Sequence, residues 1–132
     1  MRILRRFHLN NPLGNRGEDI AARYLRGKGF SILERNYRNN KGRAFGEIDI
    51  VARDRDELVF VEVKARTGTM DSGIHAEEAI TAEKLRRLSR IAEVYVRERN
   101  VGDGPYRFDA ISVLIRKDGK EPEIRHLQSI FL

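Results

Sequence analysis

The chain has 132 residues, with 26 Lys and Arg against 20 Asp and Glu, a net charge of +6 and no cysteine. That length fits one domain with a real core, and the missing thiols exclude disulfides, thiolate metal sites and cysteine nucleophiles, so any metal must sit on oxygen or histidine. No apolar run approaches the roughly 18 residues of a membrane span and the opening MRILRRFHLNN lacks the apolar stretch of a secretory signal, so a cytoplasmic protein without a membrane partner is expected, its basic surplus suited to a polyanion.

Residues 1–13 read as a basic arm, carrying Arg2, Arg5 and Arg6, on a single domain that spans 1–132. Asn15 to about Lys28 is predicted as a helix, with Ile20, Ala21, Tyr24 and Leu25 as its apolar stripe and Gly29 as its stop. Glu18 lies three, four and seven residues before Ala21, Ala22 and Leu25, so it leans toward the apolar face. There it needs a cation or a place at the rim. The plainer alternative is a first-turn carboxylate favoured by the helix dipole.

Phe30–Tyr37 alternates as a strand, and RNNKGRAFG, 38–46, is a connection rich in cations that include Arg38, Lys41 and Arg43. Glu47–Ala52 is the next strand. Strict alternation would put Ile48 and Ile50 on one face and Glu47, Asp49 and Val51 on the other. RDRDE is a tight turn into a strand over Leu58–Arg66, which is apolar on both faces through Val61, as in a central strand, and then carries Glu62 and Lys64 on one face. A loop, 67–75, precedes a helix that starts at the N-cap candidate Thr81. Its buried face is Leu85, Leu88, Ile91, Ala92 and Tyr95, and it also bears Arg86, Arg87 and Arg90. A turn over 100–105, a strand over Arg107–Ile115, the hairpin signal KDGK and a last edge strand in EIRHLQSIF complete the chain. The order is α-β-β-β-α-β with a final strand, which makes an α/β fold with a central mixed sheet flanked by helices.

Counting inward from the 53–57 turn brings Asp49 and Glu62 close to opposite each other. Like charges directly opposed destabilise a strand pair; a divalent cation between them would reverse the sign. Bland readings stand beside this one. Glu47 and Asp49 could form the wet face of a half-exposed sheet, and Glu62 and Lys64 could be a same-face ion pair worth less than about 1 kcal/mol. Against these, charges that enter at the end of a strand buried on both sides argue for a cleft. Carboxylates with a lysine beside them suit Mg²⁺, which takes oxygen ligands and shares them with substrate phosphate. The corresponding chemistry is phosphodiester hydrolysis.

GEIDIVA (46–52) followed by FVEVKAR (60–66) resembles the D-x(n)-E-x-K signature of the PD-(D/E)xK nuclease superfamily. More closely, the chain resembles the YraN-like family, which is endonuclease-like and similar to archaeal Holliday junction resolvases. GNRGEDIAARYL (14–25), GF (29–30), ERNYR (34–38), EKLRRLSRIAEVYV (83–96) and RFD (107–109) extend that resemblance over nearly the whole chain. It implies a restriction-endonuclease-like core with Mg²⁺ or Mn²⁺ as cofactor. Asp49 and Glu62 would be metal-binding carboxylates, Lys64 the catalytic lysine, and Glu18 the helix glutamate that completes the site. The backbone carbonyl of Val63 would be a further ligand. Arg66, Lys84 and Asp109 fit the pattern as DNA-contacting or supporting residues, and the basic clusters add Arg43 and Arg87 as nucleic-acid contacts. Glu47 belongs to the motif without a defined role. The proline of the superfamily name is absent, since Ile48 precedes Asp49.

His75 reads as a surface histidine and His126, alternating with Ile124, as a structural one; neither has zinc spacing to a second ligand. No phosphate-binding glycine pattern is present. The expected activity is that of a metal-dependent DNA endonuclease acting on branched or structured DNA. The alternative is a non-catalytic nucleic-acid-binding or accessory protein of DNA uptake or repair on the same scaffold. Cutting a symmetric junction would call for a homodimer.

Overall fold

The structure is a computed structural model that describes residues 12–38, 46–68 and 81–130. Helix α1, Pro12–Gly27, opens on a proline whose missing N–H falls where the helix has no partner for it. It closes with Gly29 at φ +96° and the Phe30 N–H returning 3.0 Å to the Leu25 carbonyl. Three strands follow: β1, Ser31–Arg38; β2, Glu47–Asp54; and β3, Glu57–Gly68. Helix α2, Ala82–Glu98, is capped by Thr81, whose Oγ1 accepts the Lys84 N–H at 3.0 Å. It leads to β4, Tyr106–Arg116, and then β5, Glu123–Leu127.

The five strands lie in chain order in one sheet. All neighbouring pairs are antiparallel except β3 and β4, which are parallel and joined by α2 as the crossover that parallel strands require. This is the α/β, mixed-sheet architecture expected of a restriction-endonuclease-like core. Each helix covers one face. Ala21, Ala22 and Leu25 of α1 pack on Ile50, Ala52, Val59, Val61, Ile111 and Val113. Leu88, Ile91, Ala92 and Tyr95 of α2 pack on Tyr37, Ile48, Val51, Leu58 and Phe60. Strand β3 is therefore covered on both sides, which accounts for its unbroken apolar run.

One expected pattern fails. Ile48 joins Val51 on the α2 face, whereas Ile50 packs under α1, so the two isoleucines do not share a face. The neighbouring strand shows the cause. Asn36, between the pairs Arg35–Ile50 and Tyr37–Ile48, has φ +55°, a left-handed residue inside a strand that breaks the alternation at Asp49's level. Asparagine tolerates that conformation better than most side chains.

Among the described residues no helix is long and apolar enough to cross a membrane. Residues 1–11 of the basic arm, Lys41, Arg43 and His75 lie outside the described residues.

Candidate functional site

The β2–β3 hairpin turns through Arg55 and Asp56, and its register runs from Asp54–Glu57 to Ile50–Val61. One further step would set Asp49 against Glu62, as counting from the turn predicts. The backbone ladder stops there. Asp49 turns its own side chain across the gap, and Oδ2 accepts the Val63 N–H at 2.8 Å. Glu62 is only 9% exposed and follows Phe60 on the α2 face. Its Oε2 lies 2.6 Å from Lys84 Nζ in the first turn of α2.

Glu18 arrives from α1. Because that helix begins at Pro12, earlier than the spacing predicts, Glu18 lies beyond the first turn, which holds no acidic residue. The dipole explanation for it therefore lapses. A Cβ on Gly17 would stand 2.4 Å from the Ala65 Cβ, so the bare glycine lets α1 sit directly on β3 three residues beyond Glu62. Glu18 is 8% exposed and is met by the Asn36 side chain and by Arg35, whose Nη2 is 3.5 Å from Oε1. Arg35 also holds Asp19, at 2.8 Å. Even so, Glu18 Oε1 and Arg35 Nε are buried without a hydrogen bond among the described residues.

The electrostatics single out Asp49. Burial pushes its carboxyl well above the usual 3.8, the Glu62 charge pushes it further, the Val63 N–H pulls it back, and Glu18 and Glu47 add to the rise. Burial also raises Glu18, against the lowering influence of Asn36 and Arg35. Each neighbouring carboxylate has a cation: Glu62 has Lys84, Glu18 has Arg35, and Glu47 has Arg38 at 3.2 Å. Asp49 has none among the described residues.

An all-oxygen donor set, a carboxyl lifted by its neighbours and an orphaned carboxylate oxygen match the chemistry of Mg²⁺ or Mn²⁺. In donor type the residues fit such an ion. As they stand, however, no three Asp, Glu or His side chains among the described residues converge closely enough to hold one.

The remaining expected residues fall in several places. Lys64 is exposed on β3 two residues beyond Glu62 and forms no ion pair with it; the same-face pair is replaced by Lys84–Glu62. Arg66 is partly exposed two residues further on. Arg87 flanks the start of β2, its Cδ lying 3.8 Å from where a Gly46 Cβ would be.

Asp109 is fully buried and belongs to a separate network. Its carboxylate accepts from Arg107 Nε at 3.0 Å and from the Ser129 N–H at 3.0 Å, and His126 Nε2 lies 2.8 Å from it. The Tyr24 hydroxyl meets His126 Nδ1 at 3.1 Å. Burial raises the Asp109 carboxyl, but His126, Arg107 and the Ser129 N–H together outweigh it and hold it below its ordinary value. His126 is thus held between Asp109 and Tyr24, and Asp109 joins β4 to β5 through it. Sequence reasoning counts Arg35 only among the basic cluster with Arg38, Lys41 and Arg43 and passes over Asn36; the local sign is ERNYR, with an asparagine in an otherwise good strand.

A family model described as "Uncharacterised protein family UPF0102" matches residues 17–113, which takes in Glu18, Asp49, Glu62, Lys64 and Lys84. Curated relatives, each called a UPF0102 protein, align along almost their whole length. One from Syntrophotalea carbinolica is 44% identical over 119 residues, covering 90% of this chain and 90% of the relative. One from Nocardia farcinica is 42% identical over 132 residues, covering 98% and 96%. One from Dictyoglomus turgidum is 38% identical over 122 residues, covering 92% and 98%.

Proposed function

This chain belongs to the UPF0102 family, and we propose that it is a metal-dependent nuclease that hydrolyses DNA phosphodiester bonds, with branched or structured DNA as its substrate. The observation that carries the reading is Asp49. A carboxylate near the start of β2 beside Glu62, with its protonation raised by burial and that charge and no cation of its own among the described residues, is a position that a divalent ion would relieve.

Asp49, Glu62 and Glu18 would hold Mg²⁺ or Mn²⁺, with the Val63 carbonyl as a further ligand. Such an ion, when bound, polarises a phosphoryl oxygen and acidifies a water. Lys64 extends from the same strand into solvent, where its ammonium can orient the attacking water and stabilise negative charge on the phosphoryl group. Arg66 and Arg87, and Arg43 from the connection before β2, supply backbone contacts that position the strand and make binding salt-dependent. The net charge of +6 supports a polyanionic substrate.

The test is a cleavage panel of duplex, single-stranded, flap and four-way-junction DNA with a matched RNA, in Mg²⁺ or Mn²⁺, comparing wild type with Glu62→Gln. Metal-dependent cutting that disappears in the variant is expected, and the panel ranks the substrates. A second reading has its own observation. Glu62 is already neutralised by Lys84, and no three carboxylates among the described residues converge, as in a scaffold that binds nucleic acid without cutting it. Binding that survives Glu62→Gln, with no cleavage by either protein, would favour that reading.

A further inference from the structure

Lys64, on the strand, and Lys84, on the helix, are both near Glu62, and it is Lys84 that the carboxylate meets, at 2.6 Å. The two partners are unequally placed. The Glu62 side chain is 10% exposed and fixed in the middle of the sheet, whereas the Lys84 side chain is 31% exposed at a helix end. The Lys84 backbone is pinned by the Thr81 cap, so its ammonium can leave by rotation about its own side-chain bonds without moving α2. Withdrawing the lysine would strand a nearly buried charge, which is strongly unfavourable unless another cation arrives. Asp49 stands on the adjoining strand without a cation among the described residues, one register step beyond the last backbone pair.

From this geometry we infer that Lys84 is a displaceable internal counter-ion, occupying the Glu62 carboxylate until a divalent cation takes its place and thereby setting the concentration at which that cation binds. The inference rests on the metal-site reading above and assigns Lys84 a positioning role in addition to any contact with nucleic acid. The exchange is balanced in kind. The ammonium moves from Glu62 to solvent or to a phosphate, and the cation that replaces it gains both Glu62 and Asp49. A divalent ion on Glu62 Oε2 would take the contact that Lys84 now makes, so the two cations compete for that oxygen. Substrate phosphate, by attracting the released ammonium, would favour the metal-bound state, which couples loading of the site to the arrival of its polyanion.

The test is Mn²⁺ binding to the full-length protein without nucleic acid, read by the free-Mn²⁺ resonance signal and by melting temperature. Lys84→Met is expected to bind Mn²⁺ at least about tenfold more tightly than wild type, a difference of roughly 1.4 kcal/mol. Without metal it should melt lower than wild type, and Mn²⁺ should raise its melting temperature by more. Lys84→Arg should restore wild-type affinity. Lys84→Gln, which keeps a hydrogen-bond donor for Glu62 but no charge, should show the same tightening and replaces Lys84→Met if that protein is too unstable to assay. Equal or weaker Mn²⁺ affinity in Lys84→Met, with wild type binding, would overturn the counter-ion inference and leave the metal site standing. Absence of Mn²⁺ binding in every protein, at millimolar metal, would overturn both.

Discussion

Asp49 is a residue at which stability and chemistry pull in opposite directions. Its carboxylate closes the β2–β3 ladder on the Val63 N–H, yet burial and Glu62 disfavour its charge. Asparagine keeps an oxygen for the Val63 N–H and removes the charge. Asp49→Asn should therefore raise metal-free stability on the order of 1 kcal/mol, or about 4 °C in melting temperature for a domain this size. Calorimetric titration of the same variant should show Mn²⁺ binding lost. A variant that melts lower and still binds metal would show that neither the repulsion nor the ligand assignment is right. Part of this was legible in the sequence. Counting from a turn over 53–57 brings Asp49 and Glu62 close to opposite on paper, and the two-residue turn at Arg55 and Asp56 is what fixes the register. The cation of Glu62 could not be placed that way, because Lys84 reaches it only through packing of the helix that follows β3.

At the level of elements, the site depends on how closely α1 lies on β3. Gly17 has no side chain, and the Ala65 Cβ fills the space. Adding a methyl at Gly17 gains about 1 kcal/mol in helix propensity. It also forces two carbons attached directly to backbone to 2.4 Å, with no flexible chain to yield. Overpacking of this kind costs about 1–3 kcal/mol, so Gly17→Ala should be destabilising, and Glu18 should be lifted away from Asp49. Gly17→Ala/Ala65→Gly moves the methyl from one side of the contact to the other and should recover part of the loss in denaturant unfolding. If the double variant is as unstable as the sum of the two single ones, the contact is not the cause. The elements themselves were largely readable: β3 by its two-sided apolar run, α2 by its stripe and Thr81. The face change between Ile48 and Ile50 was not, because it depends on one left-handed residue, Asn36, in the strand opposite.

For the whole molecule, the Asp109 network ties the fold together away from the acidic site. Through Arg107 it reaches Asp54 and Glu57 at the β2–β3 turn, and through His126 and Tyr24 it reaches β5 and α1. The Asp109 carboxyl is held below its ordinary 3.8, so it ionises more readily in the folded chain than in the unfolded one. Its contribution is therefore present above about pH 4 and fades as pH falls toward the lowered value. Asp109→Asn leaves Arg107 and His126 without their anion and should lose on the order of 3 kcal/mol at neutral pH. The variant's stability should then fall less steeply than the wild type's as pH drops below about 4. Denaturant unfolding at several pH values measures both effects, and parallel acid limbs in the two proteins would refute the assignment. RFD was readable as a motif, but its role depends on a histidine 17 positions away and a tyrosine at a separation of 102 from that histidine.

The hydrogen bond from Val63 to Asp49 also changes what kind of edge the site has. Elsewhere β2 and β3 are joined by main chain, whose strength no solute can adjust. Their last rung is a carboxylate, and a carboxylate answers to protons and cations. A guest drawn to Asp49 thus draws on the same group that keeps the two strands from parting. Any binding at Asp49 would compete with the closure of the two strands through the orientation of a single side chain.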